Sequence, residues 1–155
     1  MATVPDLRGF LETWPYDAGH RVRRARGADG REIILVRQPM GLQQFEMDGR
    51  PDGQREHGLE SLLDFHEARI AAAPQPGPAR ACDLTAEDCA LLIHEGLAYH
   101  DRTHLLVRLR DWPRVERDTA RNLRLLGFIR RHARCAEDRA DFDPWQPDQI
   151  GRAHV

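Results

Sequence analysis

The chain has 155 residues, a length typical of one domain, with 41% hydrophobic and 31% charged residues and a formal net charge of -2. This composition argues against a membrane-spanning, fibrous or wholly disordered chain. All 23 basic residues are arginines, which excludes mechanisms that need a P-loop lysine, a Schiff base or a serine-lysine dyad. The one serine, Ser61, lies outside any Gly-x-Ser-x-Gly motif, so a serine hydrolase is not expected.

Charge and cysteine content indicate the compartment. The small net charge gives no overall field for a polyanion, so nucleic-acid binding would need a local basic patch. The first 20 residues contain no apolar run long enough for a signal peptide or a membrane span. Cys82, Cys89 and Cys135 are odd in number and form no Cys-x-x-Cys pair. We therefore expect a cytoplasmic protein with no membrane association and no disulfide framework.

The N-terminal part predicts a short helix followed by an antiparallel β-meander. Apolar residues at helical spacing precede Pro15, while residues 20–26 and 31–37 flank the turn Gly27-Ala28-Asp29-Gly30. Residues 42–47 alternate in polarity and stop at an Asp-Gly step, which predicts a third strand with Phe45 and Met47 on its buried face. We assign residues 1–56 to this β-rich subdomain.

After Gly58, the spacing of the apolar residues changes to that of a helix. The first predicted helix has a buried face and ends before the proline-rich residues 74–78. That face comprises Leu59, Leu62, Leu63, His66 and Ile70. Thr85 and Asp88 form a potential capping box for a helix that extends to about Leu109, and Pro113 begins another that extends to about Ala133. The fold class predicted is therefore α+β, with residues 57–149 as the helical region.

The two long helices resemble the middle of a tetratricopeptide unit. The similarity covers Tyr99 to Leu106 and Asp111 to Asp118, with Arg110 at the position where a turn glycine is usual. This resemblance implies one antiparallel helical hairpin of the tetratricopeptide type.

The N-terminal segments resemble a bacterial family of unknown function that is often labelled UvrB/UvrC-motif-containing. The similarity is carried by residues 7–17, 29–32 and 48–55 and extends over roughly residues 6–145. It implies a small sheet, a helical-repeat middle and a C-terminal helical hairpin, without known catalytic residues.

The last six residues, Ile150 to Val155, read as the translation of part of a common sequencing adapter. We therefore interpret residues 150–155 as a non-native tail and expect the helical region to be incomplete after Gln149. An incomplete region would leave apolar side chains near Leu123, Leu126 and Ile129 exposed.

An arginine stripe is the first candidate binding site. Its members lie within about a third of the circumference of the last predicted helix. They are Arg114, Arg117, Arg121, Arg124 and Arg131. Guanidinium groups bind carboxylates and phosphates through pairs of hydrogen bonds, so the stripe could bind an acidic protein or, less well, a nucleic acid. The other interpretation is that the stripe is only the solvated polar face of the helix. Acidic residues between positions 137 and 143 would neutralise part of it.

Two further clusters are candidates for a site. The Asp-Gly steps in the loop that contains Asp48, Arg50, Asp52 and His57 favour tight turns, although a surface acid/base or metal cluster that includes Glu56 remains open. His100 and His104 are four apart on a helix, the spacing of two zinc ligands. The favoured interpretation is instead that no metal binds and that the two histidines pack along a face with Cys89, Ile93, Gly96 and Val107 against the next helix.

The expected function is non-catalytic binding of another protein, through the helical groove or the arginine stripe, without a cofactor. The first alternative is a metal-dependent hydrolase, which would use the loop cluster or the histidine pair. The second is a nucleic-acid accessory protein, which only the family label suggests.

Overall fold

A computed structural model describes residues 6–73 and 83–134 of the chain. The order of its elements is a short helix, three strands and three further helices, which confirms the predicted α+β class. The elements are α1 (Arg8–Thr13), β1 (Val22–Arg26), β2 (Glu32–Gln38), β3 (Gly41–Glu46), α2 (Leu62–Ala71), α3 (Ala86–Arg108) and α4 (Trp112–His132). Predictions for residues 135–155, including the interpretation of residues 150–155 as a non-native tail, lie outside the described residues.

The predicted β-meander is confirmed. The three strands are antiparallel in the order β1-β2-β3, and β2 pairs from Ile33 with Glu46 to Gln38 with Gly41 on its β3 side. Between β1 and β2, Gly30 adopts the left-handed conformation that a tight turn requires, with φ at 84°. Phe45 and Met47 are both buried, as the alternating pattern predicts.

The helix α2 begins later than predicted. Ser61 caps it, because the Ser61 hydroxyl oxygen accepts a hydrogen bond from the Asp64 backbone N–H at 3.2 Å. Leu59 lies before this cap and is partly exposed, so its assignment to the buried helical face is wrong. Gly58 and His57 both have positive φ values, and this backbone ends the preceding turn before the helix starts.

The helices α3 and α4 form the predicted antiparallel hairpin. Thr85 and Asp88 make the expected capping box, and Asp111 caps α4 with proline in its first turn. Arg110 in the turn has φ at 56°, the left-handed conformation that usually favours glycine. At the other end of the hairpin, the Leu84 N–H donates to the His132 carbonyl at 2.9 Å in an isolated bridge between Leu84 and Ala133.

The packed faces of the hairpin differ from those predicted. On α3, the buried positions include two charged residues, Glu95 and Arg102, whereas Val107 is exposed. The assignment of Val107 to the packed face is therefore wrong, whereas Cys89 and Gly96 of the same predicted face are buried. On α4, Leu123 is exposed as expected, but Ile129 is fully buried in the core.

Two hydrophobic clusters hold the molecule together. One joins α2, α3 and α4 around Leu63, Leu92 and Ile129. The other lies between the sheet and the C-terminal half of α3, with Ile34 and Met47 among its members. In the described ranges, no helix combines the length and the apolarity needed to span a membrane.

Candidate functional site

A buried ion pair links the two helices of the hairpin. Arg102 of α3 donates from Nε to Asp118 Oδ2 at 2.7 Å and from Nη2 to Oδ1 at 2.9 Å, and both side chains are inaccessible to solvent. Arg102 Nη1 also donates to the backbone carbonyls of Glu46 and Gly49, each at 2.8 Å. These bonds attach the end of the sheet to the helical hairpin and satisfy the buried guanidinium.

The arginine stripe of α4 lies largely against the rest of the molecule. Asp48, in the turn after β3, accepts hydrogen bonds from Arg114 at 2.9 Å and from Arg117. Farther along the helix, Arg124 donates to Asp64 of α2 at 2.8 Å. These predicted binding residues therefore have intramolecular carboxylate partners, which link α4 to the turn after β3 and to α2.

Arg121, the third stripe residue, pairs with the buried Glu95 of α3. Glu95 Oε2 also accepts a hydrogen bond from the Leu62 N–H at 2.9 Å, and it lies 3.4 Å from Nη1 of Arg50. Glu95 thus holds the start of α2 and the turn after β3 at the same point. Arg131, the last stripe residue, is exposed in the final turn of α4.

Tyr99 contacts two arginines of this network through its ring. The Cζ atoms of Arg121 and Arg102 lie 4.0 Å and 4.9 Å from the centre of its ring. Burial raises the pKa of the Tyr99 hydroxyl to about 12. Tyr99 and Arg121 also line a polar cleft of about 480 Å³ between α4, α3 and the start of α2. Sequence reasoning did not identify Glu95, Tyr99 or Arg102, because their spacing of three to four residues reads as part of an ordinary polar helix.

The charges of the stripe are strongly coupled to their partners. The hydrogen bond from Arg114 is the largest cause that lowers the pKa of Asp48 to about 2, and Arg117 contributes a further hydrogen bond. The same interaction with Asp48 raises the pKa of Arg114. Burial lowers the pKa of Arg121 against the opposing effect of Glu95.

The predicted loop cluster is divided between different partners. Asp48 contacts α4, whereas Arg50 pairs with Asp52 at 3.0 Å and reaches towards Glu95. The ring of His57 stacks on Phe65 with centroids 3.9 Å apart. In residues 6–73 and 83–134, no three His, Cys, Asp or Glu side chains are grouped to hold a metal ion. Gly49 and Gly53 have φ values of 72° and 73°, as tight turns at the two Asp-Gly steps require.

His100 and His104 contact each other on α3. Their Nε2 atoms are 3.0 Å apart, and their rings are perpendicular with centroids separated by 4.4 Å. Burial, followed by the charge of His104, lowers the pKa of His100, while Asp101 opposes this shift. The two imidazoles could supply two ligands, and the described part of the chain offers no third beside them. Cys82 lies outside that part, and Cys89 is buried.

The opposite flank of the hairpin is apolar and exposed. Asn122 of α4 donates to the Gly96 carbonyl at 3.0 Å and accepts a hydrogen bond from Arg121 Nη1 at 3.1 Å, so it borders the pair of Arg121 with Glu95. The residues beyond this contact define what we call the outer flank. They are Ile93, Leu97, His100 and Val107 of α3, and Trp112, Leu123 and Leu126 of α4. Four of them have large exposed fractions: 45% for Leu97, 41% for Val107, 58% for Trp112 and 64% for Leu123.

Comparisons with known proteins give no match to a family model, to a curated protein or to a solved structure. The similarity to the UvrB/UvrC-motif family therefore stays a prediction from the sequence.

Proposed function

We propose that this protein is a non-catalytic module that binds another protein through the outer flank of its helical hairpin. The observation that carries the proposal is the exposure of Leu97, Val107, Trp112 and Leu123 on that flank. Aromatic and aliphatic side chains at the centre of an interface supply most of its binding free energy. Large apolar residues grouped on one side of two rigid helices are typical of a protein-binding surface.

The arginine stripe supports this proposal less well than the flank does. A partner that bound Arg114, Arg117 or Arg121 would have to displace Asp48 or Glu95 from charge-assisted hydrogen bonds. Much of any gain from the new contacts would be lost in breaking the old ones. The stripe therefore serves to join α4 to the rest of the fold.

The two alternative functions have fewer observations in their favour than the protein-binding proposal has. A metal-dependent hydrolase would need the loop cluster or the histidine pair to gather further ligands, and a nucleic-acid accessory protein would need arginines without internal partners. The ion pairs of Asp48 and Arg50 and those of the stripe favour the protein-binding proposal over both.

A photo-crosslinking amino acid placed at Leu97 or Leu123 tests the proposal in cells that express the intact protein. We expect one defined protein adduct from both positions, and none from Ala28, an exposed control position in the turn between β1 and β2. With the crosslinker at Trp112, Leu123→Glu should reduce the yield about tenfold, because a buried interface anchor is replaced by a charge. The proposal would be refuted by identical adducts from Leu97, Leu123 and the control Ala28. It would also be refuted if neither Leu97 nor Leu123 gave an adduct.

A further inference from the structure

Among residues 6–73 and 83–134, no strand pairs with the outer edge of β1. In the sheet order β1-β2-β3, β1 has a neighbour on one side only. The Arg37 N–H donates to the Arg21 carbonyl at 2.7 Å, and the Gly27 N–H donates to the Arg31 carbonyl at 2.9 Å. Residues 21 and 27 therefore face β2. Because hydrogen-bonded residues alternate along an antiparallel pair, residues 22, 24 and 26 direct their N–H and C=O groups away from the sheet.

This edge is also strongly basic. Four of the six residues from 21 to 26 are arginines, and none of the six is acidic. Two of the arginines are held beside the edge: Arg24 donates to Asp111 at 2.8 Å, and the Arg23 guanidinium lies 4.3 Å from the centre of the Trp14 ring. Arg26 is exposed. Asp111, which Arg114 also shares, and Glu32, the register partner of Arg26 on β2, are carboxylates beside the strand, so its four arginines still exceed them in charge.

The charge of the edge selects the kind of strand that can join it. Two copies of β1 placed side by side would bring arginines opposite arginines, and like charges at facing positions destabilise a strand pair. A neutral strand would gain backbone hydrogen bonds but no charge pairing. An extended acidic segment would gain both, since main-chain bonds give affinity and complementary charge gives specificity.

We propose that β1 is a docking strand for an extended acidic segment of a partner protein, which adds a fourth strand to the sheet. This inference rests on the proposed function, because it names the chemistry of a partner. It concerns a different surface from the outer flank, so the two can fail separately.

A peptide of about eight alternating glutamate and valine residues, long enough for one strand, is the probe. By NMR, we expect addition of the peptide to slow hydrogen exchange at the amides of residues 22, 24 and 26. The amides of Arg23 and Ala25, which face β2, should change little. Binding should weaken as salt is added, and a control peptide with lysine in place of glutamate should not bind.

A second control separates strand addition from simple charge attraction. The same glutamate-valine peptide, N-methylated at alternate residues, keeps its charge and loses the donors on one edge. We expect its affinity to fall roughly tenfold, as the loss of two or three hydrogen bonds implies. This comparison uses the unaltered protein and does not depend on the folding of a variant.

A matched pair of substitutions completes the test. Arg26→Ala removes one charge, whereas Arg26→Pro removes the same charge and also the outward N–H. The proline variant should bind the peptide more weakly than the alanine variant, with circular dichroism showing that both are folded. Four results would overturn the inference: no binding at millimolar peptide, equal binding of the N-methylated peptide, protection confined to residues outside β1, or the same protection pattern with a single-stranded oligonucleotide. Adducts at Leu123 that persist under any of these results would leave the proposed function intact.

Discussion

Arg102 shows how a single charged residue can determine the packing of a hairpin. Its guanidinium lies in the core, makes two hydrogen bonds to Asp118 and donates to the carbonyls of Glu46 at the end of β3 and of Gly49 in the turn that follows. Every one of these acceptors comes from a different element than α3. The residue therefore fixes the distance between α3 and α4 and also the position of the sheet against both.

Removal of Arg102 should destabilise the protein strongly. Arg102→Ala leaves Asp118 as a buried carboxylate with fewer partners, and we expect a loss of about 3–5 kcal/mol in the free energy of unfolding, measured with urea. Arg124→Ala is the matched control on α4, because its side chain is half exposed and its ion pairs are worth less than about 1 kcal/mol. Similar losses for the two variants would contradict a special role for the buried pair.

Asp48 should make the stability depend on acid pH. Its folded pKa of about 2 lies below the ordinary value of 3.8 for an aspartate, so the unfolded chain binds the proton more readily. The contribution is present above pH 3.8 and is lost as the pH falls towards 2. In urea unfolding at a series of pH values, Asp48→Asn should flatten part of the decline in this window. The change should be modest because the carboxylate is 62% exposed, and an unchanged slope would refute it.

At the scale of the elements, the close approach of α3 and α4 depends on a glycine. A Cβ atom built on Gly96 would lie 2.7 Å from Cδ2 of Leu125, a buried residue of α4. The nearby hydrogen bond from Asn122 to the Gly96 carbonyl requires the same proximity. The two helices are therefore in close contact at Gly96, a residue without a side chain.

Two glycine substitutions should act in opposite directions. Gly96→Ala forces Leu125 out of its place in the core, and we expect a destabilisation of about 1–3 kcal/mol. Gly127→Ala meets no atom within 4 Å at an exposed position of α4, so its better helix propensity should stabilise the protein by about 0.5–1 kcal/mol. Urea unfolding measures both, and shifts of the same sign would contradict the packing described.

At the scale of the whole molecule, local signals in the sequence predicted most of the fold. The Asp-Gly turns, the capping box of Thr85 with Asp88 and the proline after Asp111 each act over a few residues, and they placed the strands and the long helices correctly. The polarity pattern of the sequence did not predict the buried face of α3, because charged residues lie in the core there. Glu95 and Arg102 read as solvent-facing, because only their distant partners make burial favourable.

The sequence predicted which residues of each candidate site lie near one another along the chain, but not which residues they contact. The spacing placed the stripe on one side of α4, but the partners of Arg114 and Arg124 come from positions 48 and 64, and no local pattern joins those segments. The charge of β1 was visible in the sequence. Its position at the edge of the sheet follows from the predicted meander, in which the first strand pairs only with the second.

The bridge between Leu84 and Ala133 means that the chain enters and leaves the α3–α4 hairpin at neighbouring points. A segment whose two ends meet in this way can be lengthened, shortened or exchanged for a related helical pair with no change in the span that the flanking chain must cover. The α3–α4 hairpin is therefore a unit that can change in sequence and length while the sheet and its connections to the rest of the chain stay the same.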